Sequence, residues 1–248
     1  MNTHAEQPVA LITGAAHRIG AVIARRLHAA GYSVVLHYRH SRAEATSLAA
    51  ELETKRAHST LLLQADLTDT STLQELVDNA LVHFGRLDAL VNNASTYYAT
   101  PVDSATPAQW DELFGANARA AFFLSQAATP ALRAARGSII NIADIYAERP
   151  LPAHTLYCMS KAALVMLTRS LALELGPEIR VNAVAPGNIL WSTNLVKAET
   201  ATELEQRTTL ARQGTPQEIA DAVLYLLRDA SYCSGVVLPV DGGRLLHI

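Results

Sequence analysis

The strongest constraint on this 248-residue chain is a regular alternation of short β-branched runs with longer amphipathic stretches. Seven runs have the length and composition of buried strands, and they lie at 8–13, 33–38, 59–65, 87–92, 137–143, 179–184 and 236–240. Stretches rich in Ala, Leu, Glu and Arg predict helices over about 19–30, 42–56, 70–84, 108–135, 156–176 and 216–228. Such alternation predicts βαβ units that close, through right-handed crossovers, into an α/β fold: a doubly wound parallel sheet with helices on both faces.

The alternation runs from end to end without a repeat, a low-complexity segment or a linker. We therefore expect residues 1–248 to form a single domain, which is an ordinary size for an α/β fold. The one long stretch without a strand, at about 188–215, is polar and rich in Thr and Glu. It predicts either a mobile helical flap over a site or a plain surface excursion.

Composition excludes several classes of function. The net charge is −3 and there is no basic tract, so nucleic acid is not an expected partner. The two cysteines, Cys158 and Cys233, form no C-x-x-C motif and are expected to be reduced thiols. Residues 1–8 lack the features of a signal peptide, and no apolar run was expected to span a membrane. We expect a cytoplasmic protein without a membrane partner or a metal site.

The first βα turn predicts a dinucleotide site. The first strand runs into residues 13–20 (TGAAHRIG) and then directly into a helix. A glycine at such a turn lets the backbone approach a pyrophosphate, and the helix N-terminus offers unpaired N–H groups. The candidate cofactor-binding residues here are Gly14, His17, Arg18 and Ile19.

The end of the second strand indicates which dinucleotide is bound. An NAD site usually presents an acidic residue there, but residues 37–42 read HYRHSR and no acid occurs until Glu44. A cationic strand end suits a 2′-phosphate, so NADP(H) is favoured over NAD(H). The candidate residues are His37, Tyr38, Arg39, His40 and Ser41. Alternatively, Arg39 and Arg42 belong to a solvated helix start.

Further polar groups follow the next strands. Asp66, beside Leu67, closes the third strand and is a candidate for the adenine amino group or, alternatively, an acid in a helix cap. Residues 92–95 (NNAS) close the fourth strand, and residues 141–144 (NIAD) close the fifth. Ligands of such sheets bind at the carboxyl ends of the strands, so these groups are expected to share one cleft.

The helix after the fifth strand carries Tyr157 and Lys161, and Asp144 lies thirteen residues before the tyrosine. Residues i and i+4 of a helix face the same way, so the ammonium group is expected beside the phenol. A neighbouring cation favours the phenolate and lowers the pKa of a tyrosine. The pair thus predicts a proton donor that works near neutral pH.

The order of these motifs resembles the short-chain dehydrogenase/reductase superfamily over almost the whole chain. The motifs are TGAAHRIG at 13–20, NNA at 92–94, Asn117, Y-x3-K at 157–161, Pro186-Gly187 and VDGG at 240–243. The resemblance implies a Rossmann-type sheet, a nicotinamide cofactor, hydride transfer and a homotetramer. It implies that Tyr157 is the acid, that Lys161 lowers its pKa and holds the nicotinamide ribose, that Asn117 supports a relay water, and that Pro186 and Gly187 border the nicotinamide.

Three departures narrow the resemblance. The family's usual glycine before Ile19 is Arg18, the glycine after NNA is Ser95, and the serine that polarises a carbonyl is Asp144. A carboxylate at that place would repel a developing oxyanion, which disfavours ordinary carbonyl reduction. Together the changes resemble the pteridine reductase branch, including the bacterial dihydromonapterin and dihydrofolate reductases of short-chain type.

The branch implies further roles. Arg18, Asn93, Ala94 and Ser95 would line the cofactor and pterin sites, Tyr97 would stack on the pterin, and residues 37–41 would form the NADPH pocket. Asp144 would work with Tyr157 in delivering protons to ring nitrogens, and His247 would edge a neighbour's substrate pocket. The alternatives are loop packing for Tyr97, an acid in a reductase of another substrate for Asp144, and an interface residue for His247.

The sequence therefore predicts NADPH-dependent reduction of a pterin, with dihydrofolate as a possible further substrate, through a relay formed by Asp144, Tyr157 and Lys161. One alternative is a carbonyl or quinone reductase on the same fold. A second is a non-catalytic NADP(H)-sensing protein, although intact Tyr157, Lys161 and Asn117 argue against it because a sensor needs no relay.

Overall fold

Seven strands form one parallel sheet in a computed structural model of the chain, which describes residues 7–189 and 206–247. The strands are β1 (Val9–Ile12), β2 (Ser33–Tyr38), β3 (Thr60–Gln64), β4 (Ala89–Asn92), β5 (Ser138–Ile142), β6 (Arg180–Pro186) and β7 (Val237–Val240). Their order across the sheet is β3-β2-β1-β4-β5-β6-β7. The predicted doubly wound α/β fold is confirmed, and every predicted strand lies within a residue or two of its expected bounds.

The strand order reverses direction between β1 and β4. The chain first builds outward from β1 through β2 to β3, then returns to place β4 on the other side of β1. Ala10 pairs with Ala89 and Ile12 with Val91, so the carboxyl ends of the two strands are level. The crossovers leave in opposite directions at this point, and a crevice for a ligand opens there.

Helices cover both faces of the sheet. They are α1 (Arg18–Ala29), α2 (Arg42–Lys55), α3 (Leu73–Phe84), α4 (Pro107–Phe114), α5 (Ala120–Ala135), α6 (Thr155–Leu175) and α7 (Pro216–Arg228). On one face Ile23, Leu52 and Val223 join α1, α2 and α7 in one buried cluster. On the other face Val77 and Leu124 join α3 and α5 in a second. The sheet is therefore buried on both sides, as parallel sheets require.

The predicted single helix over 108–135 is wrong. A capping box between Thr106 and Gln109 begins α4, which ends at Phe114. A π-helical segment, Gly115–Arg119, then separates α4 from α5. A π turn inserts an additional residue into the helical path. Here it contains Asn117, whose buried side chain bonds to neighbouring elements, and such contacts are invisible in the helical periodicity of the sequence.

The expectation that no apolar run is long enough to span a membrane also needs correction. Helix α6, with 21 residues, passes that test by length and composition alone. Half of its apolar window is buried inside the protein, and its buried side chains include the polar Ser160 and Lys161. These features are those of a core helix.

Part of the predicted flap at 188–215 lies outside the described residues, namely 190–205. The two ends of the stretch meet, because Ile189 and Gly214 form a β-bridge and the Gly214 amide donates to the Asn188 carbonyl oxygen at 2.9 Å. The stretch thus leaves and returns at one place beside the carboxyl end of β6.

Arg180, at the start of β6, holds the end of α7. Its guanidinium donates to the carbonyl oxygens of Leu226 at 2.8 Å, Leu227 at 2.8 Å and Ala230 at 3.1 Å. The last carbonyls of a helix have no partner within the helix, and a cation there also complements the helix dipole. One side chain thus fastens the end of α7 to the start of β6.

We expect Arg180→Met to lower the free energy of unfolding by about 2–3 kcal/mol, because it leaves partly buried carbonyls without a donor. Chemical denaturation of the purified protein measures the change. The matched control is Arg228→Met on the same helix, where the guanidinium pairs only with Asp229 at the surface. The control should stay within about 0.5 kcal/mol of the parent. Equal losses in both variants would contradict the capping role.

Candidate active site

The turn that follows β1 is hydrogen-bonded to the end of β4 through Thr13 and Asn93. The Thr13 hydroxyl oxygen accepts from the amides of Asn93 and Ala94, both at 2.9 Å. The Asn93 side-chain amide donates to the carbonyl oxygens of Thr13 at 2.8 Å and Gly14 at 3.2 Å. The two strand ends that border the crevice are therefore one hydrogen-bonded unit. Thr13 was not among the predicted site residues, although its place in the TG motif was a signal for it.

The turn itself requires glycine at two positions. Gly14 has φ 61°, and a Cβ on Gly20 would lie 2.2 Å from the Gly14 carbonyl oxygen. Helix α1 can approach the turn this closely only because both residues lack a side chain. Its N-terminal amides then lie beside the crevice, which suits a pyrophosphate.

Arg18 occupies the left-handed region at φ 52°, at the place where the superfamily usually has glycine. A left-handed conformation costs a non-glycine residue about 1–2 kcal/mol. Arg18 and His17 are both exposed at the start of α1, and their contact with a ligand stays a prediction. Ile19, in contrast, is 8% exposed and its side chain belongs to the core, so any cofactor contact would use its main chain.

His37 lies beneath the turn rather than facing the crevice. Its Nδ1 accepts from the Gly14 amide at 3.2 Å, and its Nε2 donates to the Ala65 carbonyl oxygen at 3.1 Å. Burial lowers the pKa of His37 to about 4, so the ring is neutral and can accept at Nδ1. The side chain predicted to bind the cofactor directly instead holds the glycine turn.

The remaining predicted residues of the adenosine side separate into buried and exposed groups. Tyr38 is buried against Ala16, and Leu67 is part of the core. Arg39 and His40 are exposed, and Ser41 is the N-cap residue of α2. Arg39 and His40, with the half-buried Ser41, can present polar side chains to a ligand.

Arg39 forms an ion pair with Asp66 at 2.8 Å. Asp66 also accepts from the Thr68 amide at 3.0 Å and the Thr68 hydroxyl at 2.7 Å. Although burial opposes the charged form, these hydrogen bonds and Arg39 hold the pKa of Asp66 below its usual value. Both alternatives for Asp66 are compatible with this place, since it orders the local turn and lies beside the strand ends.

Asp144 and Tyr157 are directly hydrogen-bonded. The Tyr157 hydroxyl donates to Asp144 Oδ2 at 2.6 Å, and the Tyr146 amide donates to Oδ1 at 2.9 Å. Burial raises the pKa of the Asp144 carboxyl in spite of these bonds. Burial and the neighbouring carboxyl raise the pKa of Tyr157 well above its usual range. The structure thus joins two proton-carrying groups from the ends of β5 and the start of α6.

The predicted lowering of the Tyr157 pKa by Lys161 is outweighed by burial and Asp144, which raise it. The Lys161 Nζ donates to the Ile142 carbonyl oxygen at 2.9 Å and lies 5.9 Å from the centre of the Tyr157 ring. Burial lowers the pKa of Lys161 itself to about 8. The expectation considered the helical spacing alone, whereas burial and Asp144 dominate the titration of the tyrosine in the folded chain.

Asn117 links three elements. Its side-chain oxygen accepts from the Ser95 hydroxyl at 3.0 Å and the Thr96 amide at 2.8 Å. Its side-chain nitrogen donates to the Thr96 carbonyl oxygen at 3.0 Å and the Ser160 hydroxyl at 2.9 Å. These bonds occupy both donors and both acceptor positions of the amide. A relay water, as predicted, would therefore have to bond to the main chain of Asn117.

Tyr97 lies over the Tyr157 ring. The two rings are 4.8 Å apart between centroids and nearly perpendicular, at 83°. Tyr97 is 50% exposed, and burial raises the pKa of its hydroxyl to about 12, so it stays neutral. Its ring also stacks on His154, which was not a predicted site residue. The spacing of three residues between His154 and Tyr157 was the available signal.

Pro186 and Gly187 lie at the carboxyl end of β6, on the same edge of the sheet as the ends of β1 and β4. A Cβ on Gly187 would lie 2.6 Å from Asp241 Cα, so glycine is required for the packing of β6 against β7. The next residue, Asn188, has a buried Nδ2 without a hydrogen-bond partner among the described residues. Buried donors are rarely left unpaired. Together with the close glycine turn, this donor fits a bound dinucleotide.

His247 is held by contacts within its own chain. Arg149 donates to the His247 carbonyl oxygen at 2.7 Å, and the Nε2 of His247 lies 3.0 Å from the Thr209 hydroxyl.

Cys158 and Cys233 are free thiols. Over 7–189 and 206–247, no group of three His, Cys, Asp or Glu side chains could hold a metal ion.

Comparison with known proteins agrees with this geometry. Residues 14–244 match the model of a family described as Enoyl-(Acyl carrier protein) reductase. Pteridine reductase 1 of Leishmania tarentolae is 37% identical over 99% of each chain. A Streptomyces violaceoruber protein titled "Granaticin polyketide synthase putative ketoacyl reductase 2" is 41% identical over 97% of each. A solved short-chain dehydrogenase/reductase of Serratia marcescens, a double mutant, is 36% identical, covers 96% of this chain and 98% of its own, and has a TM-score of 0.90.

A doubly wound sheet with a glycine turn at its switch point and a buried Tyr–Lys pair defines a dinucleotide-dependent oxidoreductase. The chain belongs to the short-chain dehydrogenase/reductase superfamily, whose members use NAD(P)H.

We expect Lys161→Met to stabilise the ligand-free protein near pH 7. Between pH 8 and 10.5 the unfolded chain keeps the Lys161 proton that the folded chain has lost, so the stability of the parent rises with pH across this window. The advantage of the variant should thus be about 1–3 kcal/mol at pH 7 and shrink as the pH approaches 10.5.

Urea unfolding at a series of pH values measures this difference. Lys55→Met, at an exposed ion pair with Glu51 on α2, is the matched control and should show no such trend. A pH-independent difference for Lys161→Met would contradict the lowered pKa.

Proposed function

We propose that the protein is an NADPH-dependent reductase of pterins, with the Asp144–Tyr157 pair delivering the proton. The observation that carries the proposal is the 2.6 Å hydrogen bond from the Tyr157 hydroxyl to Asp144. A carboxyl group at this distance from the acid suits protonation of a ring nitrogen. In its ionised form it is a poor neighbour for the alkoxide that forms when a carbonyl is reduced.

The pair can hold and transfer a proton because its two pKa values are raised for the same reason. Burial favours the neutral form of both Asp144 and Tyr157. A protonated Asp144 can return a proton to the Tyr157 oxygen as the hydroxyl gives its own to a substrate nitrogen. Lys161, next to the pair and titrating at about 8, offers a cation that stabilises the transient phenolate.

Bound NADPH would supply the hydride for the C=N carbon. Residues that would hold it line the crevice: the main chain at Gly14, the exposed His17 and Arg18, Asn93 and Ala94 at the end of β4, and Pro186-Gly187 with Asn188. The 2′-phosphate would lie against Arg39, His40 and Ser41 at the end of β2. This strand end has cations where an NAD site presents an acid.

A flat heterocycle fits the substrate side of the proposal. Tyr97 is half exposed above the Tyr157 ring, so its ring can form one wall for a pterin. Offset stacking of aromatic rings contributes about 0.5–1.5 kcal/mol for each contact. Ser95 and Arg18, both exposed beside the crevice, add polar groups that suit the nitrogens and oxygens of a pterin or folate ring.

Reduction of a ketoacyl group is the second candidate. It is favoured by the Streptomyces relative, which is 41% identical to the chain. The protonated Asp144 that burial favours would donate to the developing oxyanion in this reaction as well, so a panel of substrates has to separate the two candidates. A homotetramer, a substrate-edging role for His247 and a cytoplasmic location remain predictions.

The proposal is tested by NADPH consumption with a panel of dihydropterins, dihydrofolate, biopterin, a ketoacyl thioester and simple ketones. We expect turnover of at least one pterin, and Asp144→Ser should lower its kcat by about a hundredfold, the scale of general acid catalysis. The affinity for NADPH should not change.

The matched control for this substitution is Asp229→Ser, at an exposed pair with Arg228. Turnover of ketones without any pterin would overturn the proposed substrate class. Equal pterin rates in Asp144→Ser and the parent would overturn the role of the carboxyl group. Full activity of Tyr157→Phe in cells would revive the sensing alternative.

Cofactor choice is tested at Arg39. We expect Arg39→Ala to weaken binding of NADPH by about tenfold while leaving that of NADH within twofold, since a charge-assisted bond to phosphate contributes about 1.5–3 kcal/mol. Fluorescence titration of both cofactors measures this. Arg25→Ala, at the surface pair with Glu51, is the control. Equal weakening of both cofactors would place the 2′-phosphate elsewhere.

A further inference from the structure

Three aromatic rings lie in a row at the candidate site, those of His154, Tyr97 and Tyr157. The rings of Tyr97 and His154 are 4.9 Å apart between centroids and nearly parallel, at 14°. The other neighbour of Tyr97 is Tyr157, edge to face at 4.8 Å. Tyr97 therefore touches the catalytic tyrosine and a histidine at once, and the histidine sets the plane of its ring.

His154 is fixed more firmly than Tyr97. It is 5% exposed, and its Nδ1 lies 2.8 Å from the Pro152 carbonyl oxygen, so this nitrogen carries the hydrogen. Its main chain forms a β-bridge with Thr100, and its carbonyl oxygen accepts from the Cys158 amide at 2.9 Å. Tyr97, in contrast, is half exposed in an irregular segment after β4. The rigid partner is the histidine.

The second ring nitrogen indicates what the histidine contributes. Nε2 of His154 is buried, and none of the described residues forms a hydrogen bond with it. Burial of an unpaired polar atom is unfavourable, so an aliphatic side chain of similar size would be the cheaper filler. What such a side chain lacks is a flat ring that can stack on Tyr97.

We propose that His154 is a positioning residue that fixes the ring plane of Tyr97 and thereby makes the site select flat heterocycles. The proposal rests on the proposed function, because it assigns the substrate wall of that same site. His154 itself does not touch the reacting atoms. Its removal should weaken substrate binding through Tyr97 while the proton transfer at Tyr157 continues.

The experiment compares His154→Leu, which removes the ring, with His154→Phe, which keeps a flat ring and should restore the wall. KM and kcat for a dihydropterin are measured together with the NADPH affinity. The matched control is His83→Leu, at an exposed position on α3. For His154→Leu we expect KM to rise about threefold to tenfold, the value of one aromatic contact, with kcat within twofold. His154→Phe and His83→Leu should stay within twofold of the parent in both constants.

A second substitution isolates the route through Tyr97. In a Tyr97→Leu background, His154→Leu should leave KM unchanged, because the wall is already absent. A further rise in KM there, an unchanged KM in the single variant, or a failure of His154→Phe to restore KM would overturn the proposal. If His154→Leu does not fold, His154→Gln removes the aromatic ring with a polar side chain of similar size and takes its place.

A readout without substrate separates this proposal from the proposed function. Fluorotyrosine labelling gives each tyrosine its own ¹⁹F line. The line of Tyr97 is assigned by its loss in Tyr97→Phe. We expect the line to shift and narrow in His154→Leu, since the ring loses its stacked neighbour, and to remain near the parent position in His154→Phe. An unmoved line would overturn the positioning role even if pterins are substrates. A shifted line in a protein that reduces no pterin would leave the stack intact and refute only the proposed substrate.

Discussion

The bond network between Thr13 and Asn93 is the constraint on which the rest of the site depends. It joins the end of β1 to the end of β4 where the strand order reverses. It thereby fixes the relative position of the two strand ends that border the crevice. His37 supports the same turn from below and must be neutral to do so. Because these groups are occupied inside the protein, the main chain of the turn is presented in a fixed shape to a ligand.

The same edge of the sheet carries buried ionisable groups that work against folding. Lys161 is 2% exposed and its lowered pKa measures the unfavourable burial of its charge. Asp144 and Tyr157 are shifted towards their neutral forms by the same physical cause. Perturbed groups that gather in a cleft are typical of functional sites. The burial of these ionisable groups therefore lowers the free energy of unfolding at the candidate site. Hydrogen bonds such as those of Arg180 stabilise the fold elsewhere.

Much of the fold and of the candidate site could be predicted from the sequence. The predictions that the structure corrects have a common origin. The short β-branched runs identified all seven strands, most clearly the central ones, since a strand buried on both faces is a local compositional signal. Motif order brought Asp144, Tyr157 and Asn117 to one edge. The π segment around Asn117, the burial of His37 and the stacking of His154 depend on contacts between residues distant in the chain. The direction of the Tyr157 pKa shift was predicted wrongly for the same reason. Burial and Asp144 raise this pKa and outweigh the helical spacing to Lys161.

The contacts of Tyr97 and Asp144 connect substrate shape with proton transfer. Both residues touch Tyr157, Tyr97 at the ring in an edge-to-face contact and Asp144 at the hydroxyl. In the proposed reaction, a substrate that stacks on Tyr97 would lie beside Tyr157, whose hydroxyl is hydrogen-bonded to Asp144. A flexible acyl chain gains little from that wall, whereas a planar ring is oriented by it before any proton moves. In the proposed reaction, Tyr97 would orient the flat substrate and the Asp144–Tyr157 pair would deliver the proton, so His154 would act on substrate binding alone, through the plane of the Tyr97 ring.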